Sequence, residues 1–397
     1  MMNIQDQPEN NIPQGSQIKS LRELVDLVSG RTVRVTDDSE EMGLTENNPF
    51  PFLGIVGQSE LKLALLLGLI NPLIGGVLLI GPRGTGKTTA VRSLVELMPE
   101  IQRSRCYYGC TEEDIENGGL DAVCPDCAKK YGEGEPLTRL EKAHLLELPL
   151  NSNLSDVIGG IDERNLNNFR LRIKRGILAH AHKNILYVDE INLLKDEITD
   201  AILDAAAMGR YTVRRGPITA SYLSQFLLIG SMNPEEGNIR PQILDRFGLR
   251  VYVRGLEKPE ERLEAYHRVH AFRTKPSYAN SQYRNETELA RLEIIETQKL
   301  LKKVSIPDEV ALKGINLIQS LKIDSLRAEI TLFEAAKAYA AADSRTEVTT
   351  ADLTIIAPLA IRLRKSAFID HYFLEKETET DEINLMVNKY LKSLKGK

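Results

Sequence analysis

Residues 75–98 read GGVLLIGPRGTGKTTAVRSLVELM. Val77 to Ile80 is a short apolar run beside glycines, as expected of a strand buried on both faces of a sheet. Further on, Ala90, Val91, Leu94, Val95 and Met98 form a helical stripe that Pro99 stops. Between strand and helix, Gly81-Pro82-Arg83-Gly84-Thr85-Gly86-Lys87-Thr88 fits G-x-x-x-x-G-K-[ST] in the one setting where that pattern is specific. Its glycines let successive backbone N–H groups curl around phosphate oxygens, and the helix N-terminus adds partial positive charge. Lys87 is expected to reach the β and γ phosphates and the Thr88 hydroxyl to ligate Mg²⁺, with Thr89 completing the nucleotide-binding set. A ligand-free glycine turn is the bland alternative, and the full match in this context argues against it.

Working outward, SELKLALLLGLI (59–70) is apolar nearly all round and is read as a buried helix. NILYVDE (184–190) and QFLLIGSMN (225–233) are two more buried-strand runs. The region 50–255 therefore reads as α/β, a parallel sheet sandwiched by helices. ILYVDE ends on Asp189, placed to hold the magnesium shell, and Glu190, a carboxylate able to orient and deprotonate an attacking water. Asn233 ends the next strand, where a neutral amide holds the water or senses the γ-phosphate without adding charge; alone, Asn before Pro is a turn signal.

Beyond residue 285 the pattern is helical only, with Pro307 opening one helix and Thr349/Asp352 at capping-box spacing opening another. The expected plan is a polar, poorly ordered lead (1–48), a nucleotide-binding α/β domain (49–260), a linker and helix (261–303), and a C-terminal helical domain (304–397).

The 397 residues are 42% hydrophobic and 27% charged, ordinary for a globular protein of two domains. No apolar window is long enough to span a membrane, and MMNIQDQPENNIPQGSQ is neither a secretory signal nor a transit peptide, so a cytoplasmic location is expected. A net charge of −5 argues against a dedicated nucleic-acid binder.

All four cysteines lie within 22 positions: Cys106-x3-Cys110, then 13 residues, then Cys124-x2-Cys127. Two chelating pairs closed by a loop of this size suit a structural Zn²⁺ held by four thiolates, in a small insertion at 104–130. The intervening TEEDIENGGLDAV is too poor in core-forming residues to fold alone, and a metal would supply that energy. Disulfides are disfavoured in a reducing compartment. An iron–sulfur cluster, redox-active thiols and inert cysteines remain as alternatives.

The order of phosphate loop, acid pair and Asn233, with roughly 100 residues between loop and acids, resembles AAA+ ATPases. FPFLGIVGQSELKLALLLGLINPLIGGVLLIGPRGTGKTT, RGILAHAHKNILYVDEINLL, GSMNPEEGNIRPQILDRFGL and SLRAEITLFEAAKAYAAADSRTEVTTADLTIIAPLAIRLR are similar to the ATPase (I) subunits of magnesium chelatase. The resemblance covers about 50–260 and 304–365, and the cysteine cluster is outside the pattern that carries it. It implies that Arg246 is an arginine finger reaching a neighbour's nucleotide, with Asp245 at the same contact. It implies that Arg327, on the helical domain, is a second sensor contacting the γ-phosphate. Two hairpin inserts are expected at 154–176 and 209–224, each with a basic side, projecting towards a ring pore or partner. The resemblance further implies an ATP-hydrolysing homo-oligomeric ring, six-membered, acting with an AAA+-like subunit bearing a von Willebrand type A domain and with a large chelatase subunit. On that large subunit a metal, magnesium by resemblance, is inserted into a porphyrin-type ring. The alternative is a MoxR-like or MCM-like remodelling or translocating ATPase, which the acidic balance and the lack of aromatics among the basic hairpin residues disfavour for nucleic acid.

Overall fold

The structure, a computed structural model, describes residues 49–106, 108–161, 173–216, 218–237 and 239–364. The expectations for the 1–48 lead, for 162–172 of the first insert and for 365–397 fall outside these residues.

Along the chain, α1 (Ser59–Ile70) leads to β1 (Val77–Ile80), the phosphate loop and α2 (Lys87–Leu94). Strand β2 (Ile101–Ser104) opens the cysteine excursion, which contains α3 (Glu112–Gly118) and α4 (Pro125–Gly132). It returns through β3 (Thr138–Glu141), antiparallel to β2. Next come β4 (Leu145–Glu147), α5 (Leu154–Ile158), the antiparallel pair β5 (Gly159–Ile161) and β6 (Ile173–Arg175), and α6 (Ile177–His180). Strand β7 (Ile185–Val188) is followed by α7 (Asp196–Met208) and the hairpin β8 (Arg210–Arg215)/β9 (Ile218–Leu223). β10 (Leu227–Met232), α8 (Pro241–Arg246) and β11 (Leu249–Tyr252) complete the α/β part. Helices α9 (Pro259–Thr274), α10 (Pro276–Leu301), α11 (Asp308–Ser320), α12 (Leu326–Ala342) and α13 (Thr350–Ile361) follow.

Five strands form the central parallel sheet, in the order β11-β1-β10-β7-β4. Side chains alternate between its faces. Val77, Leu79, Ile185, Tyr187, Leu227 and Ile229 join one core with α1, α2 and the C-terminal helices. Leu78, Ile80, Leu186, Val188, Leu228 and Met232 join a second core with α7 and α8. Covering both faces explains why the strands read as unbroken apolar runs. α1 lies close on the first face because Gly68 has no side chain; a Cβ there would stand 3.0 Å from Val77 and 3.1 Å from Leu227.

Residues 261–303, expected as a linker and a helix, lie in α9 and α10 together with the short turn after them. α9 buries no residue, and α10 buries Ala279, Thr287 and Ile294, a seam touched once every two turns. Such a narrow stripe gives little periodic signal. The helices beyond dock beside α1 and β11: Asn71 Nδ2 donates to the Glu334 carbonyl and carboxylate, and Arg250 donates to the Arg362 carbonyl at 2.7 Å. The expected capping box at Thr349 and Asp352 is present. Among the described residues no helix is long and apolar enough to cross a membrane.

Strand order decides where the chemistry sits. β1, β10 and β7 are neighbours and parallel, so the segments leaving their carboxyl ends meet at one edge. Those segments are the phosphate loop, Asn233 and the acid pair.

Candidate functional site

Gly81 leaves β1 against the carbonyl of Val253, which a Cβ would approach to 2.0 Å, so no side chain fits. Gly84 and Gly86 have φ of +78° and +85°, and nothing lies within 4 Å of where their Cβ atoms would stand. The loop is thus a concave backbone cradle open on one side, matching a chain of phosphates. Lys87 is 8% exposed and folds its ammonium into the loop, donating to the carbonyls of Gly81 (2.6 Å) and Pro82 (2.8 Å). Burial lowers its pKa from the ordinary value, against the pull of Asp189, Glu236 and Glu190. The Thr85 hydroxyl donates to the Pro82 carbonyl at 3.0 Å, and Gln58 ties the loop to the Arg254 carbonyl at 2.6 Å. Thr89, in the first turn of α2, also helps line a neighbouring cavity of about 1030 Å³ with Arg92, Glu96 and Arg291.

The acid pair is held by residues of the same sheet face. Tyr187 and Asp189, two apart in sequence, point the same way, and the Tyr187 hydroxyl donates to Asp189 Oδ1 at 2.9 Å. The same phenol lies 3.2 Å from the Thr88 hydroxyl. Burial raises the Tyr187 pKa, so the phenol keeps its single proton. Since a carboxylate only accepts, that proton goes to Asp189 and Thr88 is the donor to the phenol oxygen. The relay leaves the Thr88 lone pairs free. A hydroxyl and a carboxylate are hard oxygen donors of the kind Mg²⁺ takes, and their mutual fixation fits them to it. Ser231, fully buried on β10, donates to Asp189 Oδ1 and accepts from the Glu190 backbone N–H at 3.1 Å. Glu190 adopts a left-handed conformation with φ of +52°, costly for a non-glycine residue and held here by that contact.

Arg83 spans the open side of the loop, its guanidinium 3.2 Å from Glu190 and 2.6 Å from Glu236. The carboxylates of Glu236 first, then Glu190, raise its pKa. Asn233 is 3% exposed, caps the short helical turn after β10, and donates to Glu236 Oε1 at 3.2 Å. That bond is the chief cause holding the Glu236 carboxyl below its ordinary range. Tyr187, Ser231, Glu236 and Gln58 were not singled out from sequence. For Tyr187 and Ser231 a signal existed: each lies at even spacing along its strand with the core residues of that face.

Arg246 and Arg327 stand apart from this assembly. β11 pairs with β1 from Leu249 opposite Val77, so Arg246, just before it, lies at the amino end of the sheet, away from the phosphate loop. Four strand residues separate the two ends, roughly 13 Å at about 3.3 Å per residue. There Arg246 pairs with Asp204 at 2.7 Å, and Arg327 with Asp245 at 2.5 Å. Arg364, whose side chain is 1% exposed, approaches the other Asp245 oxygen at 3.5 Å. Asp245 therefore gathers Arg327 beside the expected finger. Neither arginine touches its own phosphate loop among the described hydrogen bonds.

The cysteines form a second, separate centre. Cys106, Cys110, Cys124 and Cys127 have sulfur atoms all within 4.8 Å of one another, and all but Cys106 are fully buried. His182 contacts Glu113 of the same excursion, and burial depresses the His180 pKa to about 4.

Residues 166–242 match the family described as magnesium chelatase, subunit ChlI, and residues 314–385 match the AAA lid domain. A magnesium-chelatase subunit ChlI homolog of Methanocaldococcus jannaschii is 42% identical over 322 residues, covering 80% of this chain and 87% of that one. The magnesium-chelatase subunit ChlI of Synechocystis is 40% identical over 318 residues, covering 79% and 88%. A crystal structure from Cytophaga hutchinsonii, 20% identical, aligns with a TM-score of 0.51 over 78% of this chain and 83% of that one, and so shares its fold.

Proposed function

The chain belongs to the magnesium-chelatase ChlI family of AAA+ ATPases, and we propose that it hydrolyses MgATP at interfaces between its own copies to drive metal insertion into a porphyrin-type ring on a partner subunit. The observation that carries the interfacial reading is the sheet's polarity. The phosphate loop and acid pair follow the carboxyl ends of β1 and β7, whereas Arg246 and Arg327 sit at the amino end. No single copy brings both sets together, and a closed ring does, because each copy presents one end to the next.

In such a site the loop amides and Lys87 bind and orient the phosphates. Glu190 takes the proton of the attacking water, and Asn233 positions Glu236 and the water beside it. Thr88 and Asp189 hold Mg²⁺, which when bound offsets phosphate charge. Arg246 and Arg327 of the adjacent copy meet the charge developing on the γ-phosphate. The ring is six-membered and cytoplasmic. It works with an AAA+-like subunit carrying a von Willebrand type A domain and with a large tetrapyrrole-binding subunit. A zinc ion in the cysteine quartet takes no part in this chemistry, since four thiolates leave no open position.

Two inactive variants test the interfacial site. Arg246→Ala keeps an intact phosphate loop and Lys87→Ala an intact finger, so mixing them creates some complete interfaces and some ATPase activity returns. Mixed assemblies that form and stay inactive at every ratio would refute it.

A further inference from the structure

The cysteine module has the geometry of a single-metal site. Cys106 and Cys110 flank a turn in which Gly109 takes φ of +70°, and Cys124 caps α4 with Pro125 in its first turn. Three backbone amides donate to sulfur: Cys110 to Cys106 at 3.3 Å, Cys124 to Cys110 at 3.2 Å, and Cys127 to Cys124 at 3.4 Å. Such bonds stabilise charge on sulfur, and bare thiols have little need of them. Zn–S bonds of about 2.3 Å set tetrahedral sulfurs about 3.8 Å apart. The quartet lies within 4.8 Å, so it closes on one ion by a shift of about an ångström. Besides three of the cysteines, Val123 and Leu137 are the buried members of this local core. That is little apolar area for an excursion of this length, and metal binding supplies what is missing.

The metal would also hold something. Helix α3 starts two residues after Cys110, with a capping box between Thr111 and Asp114, and its first three residues are acids bound to three different elements. Glu112 accepts from the amides of Leu137 (2.7 Å) and Thr138 (3.2 Å) at the start of β3. Glu113 accepts from Lys183 and contacts His182, in the turn that enters β7. Asp114 pairs with Arg175 at 2.6 Å, each 12% exposed, at the end of β6. Arg175 is sandwiched between the Gly109 turn and the ring of Tyr222 on β9, 4.9 Å away. One short helix thus joins both basic hairpins to the strand whose far end carries Asp189 and Glu190.

We propose that the quartet binds one Zn²⁺ ion, and that the metal fixes α3 so that its carboxylates clamp Arg175 and Lys183, tying the base of the hairpins to the entry of β7. The clamp rests on the zinc reading of the quartet and is independent of the ATPase reading.

The test uses the full chain without nucleotide, purified under reducing conditions without chelator. Elemental analysis should find about one zinc per chain, lost in the Cys124→Ser/Cys127→Ser variant. No zinc, or iron in its place, overturns the metal assignment. Hydrogen exchange of residues 173–183 should then quicken on the order of tenfold when zinc is stripped by chelator and recover on zinc re-addition. Zinc present with exchange unchanged on removal overturns the clamp and leaves the metal site standing. Because the double serine variant can fail to fold, Arg175→Met supplies the second arm. It keeps all four ligands, so zinc content should stay at the wild-type level while 173–183 lose protection. Retained protection in that variant also overturns the clamp.

Discussion

Replacing Tyr187 by Phe isolates one hydroxyl at the candidate nucleotide site. The ring is 1% exposed within the sheet core, and Phe keeps its shape, so packing is preserved. What is lost is the relay from the Thr88 hydroxyl (3.2 Å) through the phenol to Asp189 (2.9 Å). Asp189 keeps its bond from Ser231, so it stays in place but is free to turn, and Thr88 loses its acceptor. A hydrogen bond to a charged group contributes about 1.5–3 kcal/mol. At about 1.4 kcal/mol per factor of ten, that is roughly 10- to 100-fold in magnesium affinity, the range typical of residues that orient metal ligands. The assay is steady-state ATP hydrolysis at saturating ATP with free Mg²⁺ titrated, beside thermal unfolding without nucleotide. The expected result is a rightward shift of the magnesium half-saturation by that factor, with a small change in melting temperature. A half-saturation within about twofold of wild type in a folded variant would refute the relay. So would a fall in kcat alone.

Glu190→Gln should bind ATP yet turn over at least ~100-fold more slowly, whereas Lys87→Ala should lose binding itself; near-normal turnover in Glu190→Gln removes it as the base. Gly81→Ala forces a Cβ to 2.0 Å from a backbone carbonyl and should cost about 1–3 kcal/mol or more in a denaturant titration. Gly84→Ala meets no atom and carries only the left-handed penalty of about 1–2 kcal/mol, so equal losses in the two variants would contradict the packing assigned to Gly81. His180 has its pKa depressed to about 4, so between the ordinary value near 6.5 and 4 the unfolded chain binds a proton that the folded one refuses. Stability therefore falls as pH drops through that window, by on the order of 3 kcal/mol for this group, and His180→Gln should flatten the profile by that amount. An unchanged slope in the variant rules His180 out as its source.

The phosphate loop, acid pair and Asn233 were legible because each is a local event. A buried strand must end, and the residues just past Ile80, Val188 and Met232 are the ones a parallel sheet sends to its carboxyl edge. The cysteine spacing was legible for the same reason, as two short chelating pairs. The alternation that buries Ile185 and Tyr187 on one face, and Leu186 and Val188 on the other, is also local, although Tyr187 as a link between Thr88 and Asp189 went unread.

Tertiary structure alone decided what depends on strand order and docking. Nothing in the order of residues says that β10 lies between β1 and β7, yet that insertion puts Ser231 against both acids. Likewise, Arg246 and Arg327 are 81 positions apart in sequence, and only the docking of the C-terminal helices beside β11 brings Arg327 onto Asp245. The three acids of α3 lie in a stretch that sequence marks only as poor in core-forming residues, and they meet three different elements because the chain returns past them three times. Local periodicity fixes which residues are buried and how an element ends, since both follow from a few neighbouring dihedrals and side chains. Which elements become neighbours follows from burying both sheet faces at once, a condition that no short stretch of chain contains.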